Sequence, residues 1–231
     1  KPPAPDIPSF PSSDPDMTHA VAFIRSAVAA IALVAGAAHA AIPVPIVNGS
    51  FEAPFTTGNS ILPGGSTFVT GWTTVFTGVE HFNATGYGGA FDGQMIVDLA
   101  NYVYSTGGIE QSFATTIGTE YTATFALGNY LGFGRDGTGI VNVSAAGSTA
   151  TFSTPVATTG STTWSTASFT FTANDTTTTL RFWNEQNANQ HFAFVDGVGV
   201  TAAVPEPETW AMLASGLALL GVARHRSRRG R

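Results

Sequence analysis

Two segments, Ser168-Phe169-Thr170-Phe171-Thr172 and Tyr121-Thr122-Ala123-Thr124-Phe125, place an apolar side chain at every second residue. Successive side chains of an extended backbone point to opposite sides, so this period buries one face and wets the other, the pattern of antiparallel strands. Residues 97–99, 108–115, 121–127, 139–144, 163–173, 178–184 and 193–200 are rich in β-branched and aromatic side chains and read as strands. Glycine-containing breaks separate them, among them Gly86-Tyr87-Gly88-Gly89, Gly128-Asn129, Gly132-Phe133-Gly134 and Asp136-Gly137. No amphipathic segment of helix length lies between residues 41 and 203. Many short strands with this punctuation predict an all-β domain, two sheets packed as a sandwich.

Such a sandwich must be held by its own core, because the 231 residues include no cysteine. That excludes a disulfide framework, a thiolate metal site and a cysteine nucleophile. The chain is 43 % apolar, too much for a disordered protein, and only 10 % charged. Between Ala41 and Val204 ten acids face two bases, Arg135 and Arg181. An acidic domain repels phosphate backbones, which excludes nucleic acid as a partner of this segment.

The two ends read as addresses. Residues 1–16, rich in proline, serine and aspartate, precede Met17 and are expected to be a disordered upstream extension. From Met17 follow Arg25, an apolar stretch over 27–35 and the small-x-small site Ala38-His39-Ala40, so 17–40 reads as a signal peptide cut by signal peptidase. The alternative is a buried alanine-rich helix. Residues 204–231 run from Val204-Pro205-Glu206-Pro207 through an apolar stretch, Trp210 to Ala223, to five arginines. Those fourteen residues, if helical, rise about 21 Å against a hydrocarbon core of ~30 Å, a short transmembrane helix whose basic flank stays cytoplasmic.

Pro205-Glu206-Pro207, a short span and an arginine cluster in that order resemble the PEP-CTERM sorting signal of Gram-negative bacteria. The resemblance implies export through the inner membrane and processing by an exosortase, in organisms that make exopolysaccharide and often biofilm. The alternative is an ordinary C-terminal anchor; both readings export the middle of the chain. Within 41–203, a series of tags resembles the galactose-binding-like jelly rolls of the choice-of-anchor C type. They are Asn48-Gly49-Ser50-Phe51-Glu52, Gly71-Trp72, Asp92-Gly93, Gly107-Gly108-Ile109-Glu110-Gln111-Ser112-Phe113, Trp164 with Phe169 to Ala173, and Phe194-Val195-Asp196. Members are mostly non-enzymatic, and many related modules bind carbohydrate. In related modules the first and last strands lie side by side and their corner holds a structural calcium. The resemblance therefore implies Glu52 and Asp196 as ligands, although Gly197 stands where many relatives carry a second aspartate. The alternative is two acids bonded to backbone at strand ends.

Aromatic faces suit the C–H faces of a saccharide. Trp72 and Trp164 read as core. Trp183, next to Phe182, is aimed to the wet face if Phe182 is core, and Tyr87, Phe91, Tyr102, Tyr104 and Tyr130 lie in or beside glycine-rich loops. These six are the candidate carbohydrate contacts. No nucleophile elbow, zinc-protease or Walker pattern is present, and Asp92, Asp98 and Glu110 read as turn and strand residues rather than a glycosidase pair. The expected function is therefore a non-enzymatic protein of the cell surface or exopolysaccharide matrix with weak carbohydrate binding. A structural matrix protein and a secreted glycoside hydrolase are the alternatives.

Overall fold

The computed structural model describes residues 40–100, 106–186, 190–204, 212 and 215–218. Strands are Ala40–Val44 (β1), Asn59–Leu62 (β2), Thr73–Phe76 (β3), Val79–Asn83 (β4), Met95–Asp98 (β5) and Gly107–Ala114 (β6), then Glu120–Asn129 (β7), Ile140–Ala145 (β8), Ser148–Ser153 (β9), Thr163–Thr172 (β10), Thr177–Asn184 (β11) and Phe194–Val204 (β12). One short 3-10 turn, Ala84–Tyr87, follows β4. The strands form a jelly-roll sandwich. One sheet has the order β10-β7-β12-β5-β4-β2 with β1 also on β12, and the other the order β3-β6-β11-β8-β9. All named strand pairs are antiparallel.

The period-two segments behave as their sequence predicts. In β11 burial alternates along the strand, with Phe182 buried and Trp183 turned to the opposite face. Phe182 meets Phe125 of the facing sheet edge-on, ring centroids 5.0 Å apart. Trp72 is buried as expected, packs at 5.0 Å on Phe51, and donates its indole N–H to the Asn48 carbonyl. Side chains of this size contribute about 1.5 to 3 kcal/mol each on full burial, so this inner layer supplies the main stabilisation.

The larger sheet is also covered on its outer face. Val79, Val97 and Val195 belong to the inner core, whereas their alternates Phe82, Ile96 and Phe194 form a second apolar cluster with Ala84 and Phe192. Trp164, expected in the core, packs against this second cluster, and only a glycine at position 128 leaves room beneath its ring. β4 and β5 are therefore buried on both sides, which removes the alternation: β5 is apolar until Asp98, while β4 carries Glu80 and His81 among its buried residues.

The first and last strands do lie side by side, Ala40 opposite Val204 and Val44 opposite Val200. Ala40 opens β1, while Ala38, Pro205, Glu206, Pro207, the proposed signal peptide up to residue 39 and most of the sorting segment lie outside the described residues. Among the described residues no helix is long and apolar enough to cross a membrane.

Candidate ligand cleft

The second cluster carries polar groups that an apolar layer does not need. Glu80 shares the face of Phe82 on β4, and Asp98 shares that of Ile96 on β5; the two acids are register partners. Both are buried, Asp98 completely. Asp98 Oδ1 accepts from the backbone N–H groups of Ala100 (2.9 Å) and Ala193 (3.0 Å), and its Oδ2 lies 3.4 Å from Arg135 Nη1. The Arg135 guanidinium, 4 % exposed as a residue, rests 4.4 Å above the Phe192 ring. The Asn59 amide on β2 donates to Glu80 Oε1 at 2.6 Å.

Burial, followed by the nearby Asp98 charge, pushes the Glu80 carboxyl above its ordinary range; Asn59 and Arg135 oppose the shift. Burial raises Asp98 as well, but two N–H donors and the guanidinium favour its charged form. One guanidinium thus lies near two acids in a region of low dielectric, bonded to Asp98 and acting on Glu80 through its charge. Burial also raises the Tyr87 phenol, and burial followed by the Arg135 charge lowers His191.

Glu80, Tyr87 and Arg135, with Asn59, Ile61, Phe133 and Phe192, bound a cleft of about 310 Å³, beneath which Asp98 is fully buried. The loop after β7 supplies its outer wall. Buried Asn129 anchors that loop by donating to the carbonyls of Gly137 and Pro155, 3.0 Å each. At the tip, Gly132 and Arg135 exchange backbone hydrogen bonds around Phe133-Gly134, both with positive φ (55° and 75°). This is a type I′ turn, whose first central position favours Asn, Asp or Gly. Phenylalanine there is strained, and it is 74 % exposed, so neither backbone preference nor burial explains it. Its ring lies 5.6 Å from Tyr87 and 6.5 Å from Phe192.

Of the six aromatic candidates, Tyr87 lines the cleft and Tyr130 stands behind its wall, 5.3 Å from Tyr87 and 6.3 Å from Phe133. Phe91 lies apart, against Trp164 at 6.0 Å. Trp183 is on the outer face of the other sheet, half-buried, with its indole N–H on Glu185 Oε1 at 2.8 Å. Tyr102 and Tyr104 lie outside the described residues. Sequence reading missed Asn59, Glu80, Phe133, Arg135 and Phe192. A usable signal was Phe133 between two glycines, an aromatic where a turn wants a small polar residue.

Glu52 and Asp196 hold one loop. Glu52 Oε1 accepts from the N–H groups of Gln94 (2.7 Å) and Met95 (2.6 Å), and Gly93 is the residue whose missing side chain lets that carboxylate approach. Asp196 Oδ2 accepts from Phe91 and Asp92, 2.9 Å each, and Oδ1 from Gly197 at 2.7 Å. N–H donors aimed at these oxygens repel a cation. Among the described residues no three His, Asp or Glu side chains gather so as to hold a metal ion. As arranged, both carboxylates anchor the loop through its backbone N–H groups, the alternative reading of these two acids.

Comparison with known proteins adds a family and a motif. Residues 44–198 match a family described as a protein of unknown function, DUF642, and residues 203–229 match the PEP-CTERM protein-sorting motif. No curated protein matches the chain. Among solved structures, the Stig cyclase Fisc from Fischerella sp. TAU, in complex with (3Z)-3-(1-methyl-2-pyrrolidinylidene)-3H-indole, is 22 % identical with a TM-score of 0.53. That match covers 72 % of this chain and all of the cyclase, and it shows a shared fold. TmCBM61 in complex with beta-1,4-galactotriose is 16 % identical over 68 % of this chain and 97 % of its own, with a TM-score of 0.42.

Proposed function

We propose, for a chain that belongs to the DUF642 family and ends in a PEP-CTERM motif marking it for export and sorting in a Gram-negative cell envelope, that it is a non-enzymatic saccharide-binding protein of the cell surface or exopolysaccharide matrix. Exosortase is its processing partner and extracellular polysaccharide its ligand. The observation that carries the reading is Phe133, held exposed in a strained turn above a cleft of aromatic walls and a few polar groups. Small-ligand sites have this composition, apolar platforms with a small number of placed hydrogen-bonding groups. At about 310 Å³ the cleft is near the lower end of ligand-pocket sizes, which suits a single sugar unit or a chain end. Tyr87, Phe133 and Phe192 supply faces for ring C–H groups, while Asn59, Glu80 and the Tyr87 hydroxyl supply donors and acceptors for hydroxyls. Glu80 in its protonated form can donate as well as accept, and the Arg135 charge is already taken by Asp98. The ligand is therefore a neutral sugar.

Electrophoresis of the full chain through gels containing neutral polysaccharides tests this. Retardation by at least one polysaccharide is expected, and Phe133→Ala and Glu80→Gln should each weaken it, with melting curves unchanged for the former. Free mobility on every polysaccharide, with a blank glycan array, would leave the structural matrix protein as the answer. Release of reducing sugar from a retained polysaccharide would instead make the protein a hydrolase.

A further inference from the structure

The second exposed phenylalanine with a positive φ is on the opposite side of the sandwich. Phe76, at the end of β3, has φ 58° and is 52 % exposed. L side chains avoid this region, and here too a bulky apolar residue occupies it without being buried. Its ring lies 6.4 Å from that of Trp183, tilted by 54°, and the Arg181 guanidinium sits 5.6 Å from its centre.

These residues belong to a built face. β11 is the middle strand of the smaller sheet, and its outward residues Thr179, Arg181 and Trp183 run along the centre of the outer surface. Across the strands, Trp183 is level with Gly108 on one side and Asn142 on the other; Arg181 is level with Glu110 and Ser144. Gly108 has a positional meaning. A Cβ there would stand 2.7 Å from Val75 Cγ2 and 3.0 Å from Trp183 Cβ, so glycine lets the Val75 and Trp183 side chains close over the strand between them. Arg181 Nε donates to Glu110 Oε2 at 2.6 Å, Ser112 and Thr179 share a hydrogen bond at 2.8 Å, and Thr151 donates to Asn142 Oδ1 at 2.8 Å. Beyond Arg181 the face deepens into a pocket of about 310 Å³ walled by Ser144, Ser148, Thr149 and Thr179. From Thr179 to Trp183 the strip is about 13 Å long.

We infer that this face is a second saccharide site, a shelf on which a neutral polysaccharide chain lies along β11, so that one domain grips two chains. Its chemistry selects that occupant. An aromatic shelf at one end and hydroxyl and amide groups along the rest match alternating C–H and O–H surfaces. Both bases of the domain are already paired with acids, and eight further acids remain, so an anionic chain finds no free cation and is repelled. A neutral polyhydroxylated chain meets no such barrier. Two sites on opposite faces cannot both be filled by one short segment, which makes the protein a cross-linker of chains.

The test uses the full chain and four soluble neutral polysaccharides, a galactan, a xylan, a mannan and a β-glucan. In a Phe133→Ala background, which disables the cleft, gel retardation by at least one of them is expected to persist. Adding Phe76→Ala or Trp183→Ala should weaken it tenfold or more, while circular dichroism stays that of the parent. Wild-type protein should raise light scattering from the retained polysaccharide by cross-linking, and each single-site variant should not, because avidity across two sites gains on the order of 10²-fold over one. Retardation that vanishes with Phe133→Ala alone would remove the shelf and leave the cleft standing. Retardation indifferent to Phe133→Ala but lost with Trp183→Ala would do the reverse. No retardation of the wild type by any polysaccharide would remove both.

Discussion

The interior between the sheets and the cluster outside the larger sheet are both built from phenylalanines, yet they are different kinds of region. The interior around Trp72, Phe125 and Phe182 is sealed: its rings pack on one another and on aliphatic neighbours, and the Trp72 indole N–H is satisfied by the Asn48 carbonyl. The outer cluster buries Glu80, Asp98 and Arg135 and leaves Phe133 in water. A buried ion pair is a poor way to gain stability, since desolvation offsets most of the attraction. A strained exposed aromatic gains none. The contrast teaches that aromatic content alone does not locate a site. The aromatic layer that also holds unneeded charge and an unburied ring is the one organised for something other than folding.

The comparison is broken most forcefully by truncating one ring in each region. Trp72→Ala should cost about 3 to 5 kcal/mol of stability while any folded molecules still bind polysaccharide. Phe133→Ala should change stability by no more than about 0.5 kcal/mol and remove cleft binding. Denaturant unfolding and gel retardation on the same two samples check both; equal stability losses would erase the distinction. Next in size is Arg135→Met, which strands the Asp98 charge and should cost about 3 kcal/mol. The double variant Arg135→Met, Asp98→Asn should recover most of that loss, measured by the same unfolding curves.

A smaller effect is expected from pH. Burial pushes Asp196 up to about 7, against the N–H groups of Asp92, Gly197 and Phe91 that favour its charge. The folded chain then keeps a proton that the unfolded chain releases near 3.8, so Asp196 stabilises the fold below about pH 4 and that contribution is lost as pH rises through about 7. Glu80, raised by burial, acts with the same sign. His81, lowered by burial, acts oppositely below its ordinary 6.5. Melting temperatures of wild type minus those of Asp196→Asn isolate the first group, and the difference should fall from pH 4 to pH 8. Parallel curves would mean that Asp196 stays ionised on its three donors.

The smallest effect is expected from calcium. With Glu52 and Asp196 facing backbone N–H groups, calcium or chelator should leave the melting temperature unchanged within error. A rise of roughly 5 °C or more, reversed by chelation, would show that the loop opens to a cation.

Local pattern by itself determined the class of this protein. Alternation at 121–125 and 168–172 forces an antiparallel sandwich, because only one register puts every apolar side chain on one face. It likewise set Phe182 inward and Trp183 outward, and the ordered tags and the terminal Pro-Glu-Pro pointed to the jelly roll and the sorting motif. β1, β2, β3, β4 and β9 were not legible: four are short, β9 carries small residues, and β4 hides a buried Glu80 and His81 in what reads as a polar stretch. Burial on both faces removes the period-two signal in β4 and β5, and β4 and the short β2 are the strands that line the cleft. The cleft joins residues from 59 to 192 that share no local pattern. Glu80 and Asp98 become neighbours through strand pairing, and Arg135 reaches them from a loop on β7. Desolvation then alters their proton affinities, a property of the folded surroundings that no stretch of sequence contains.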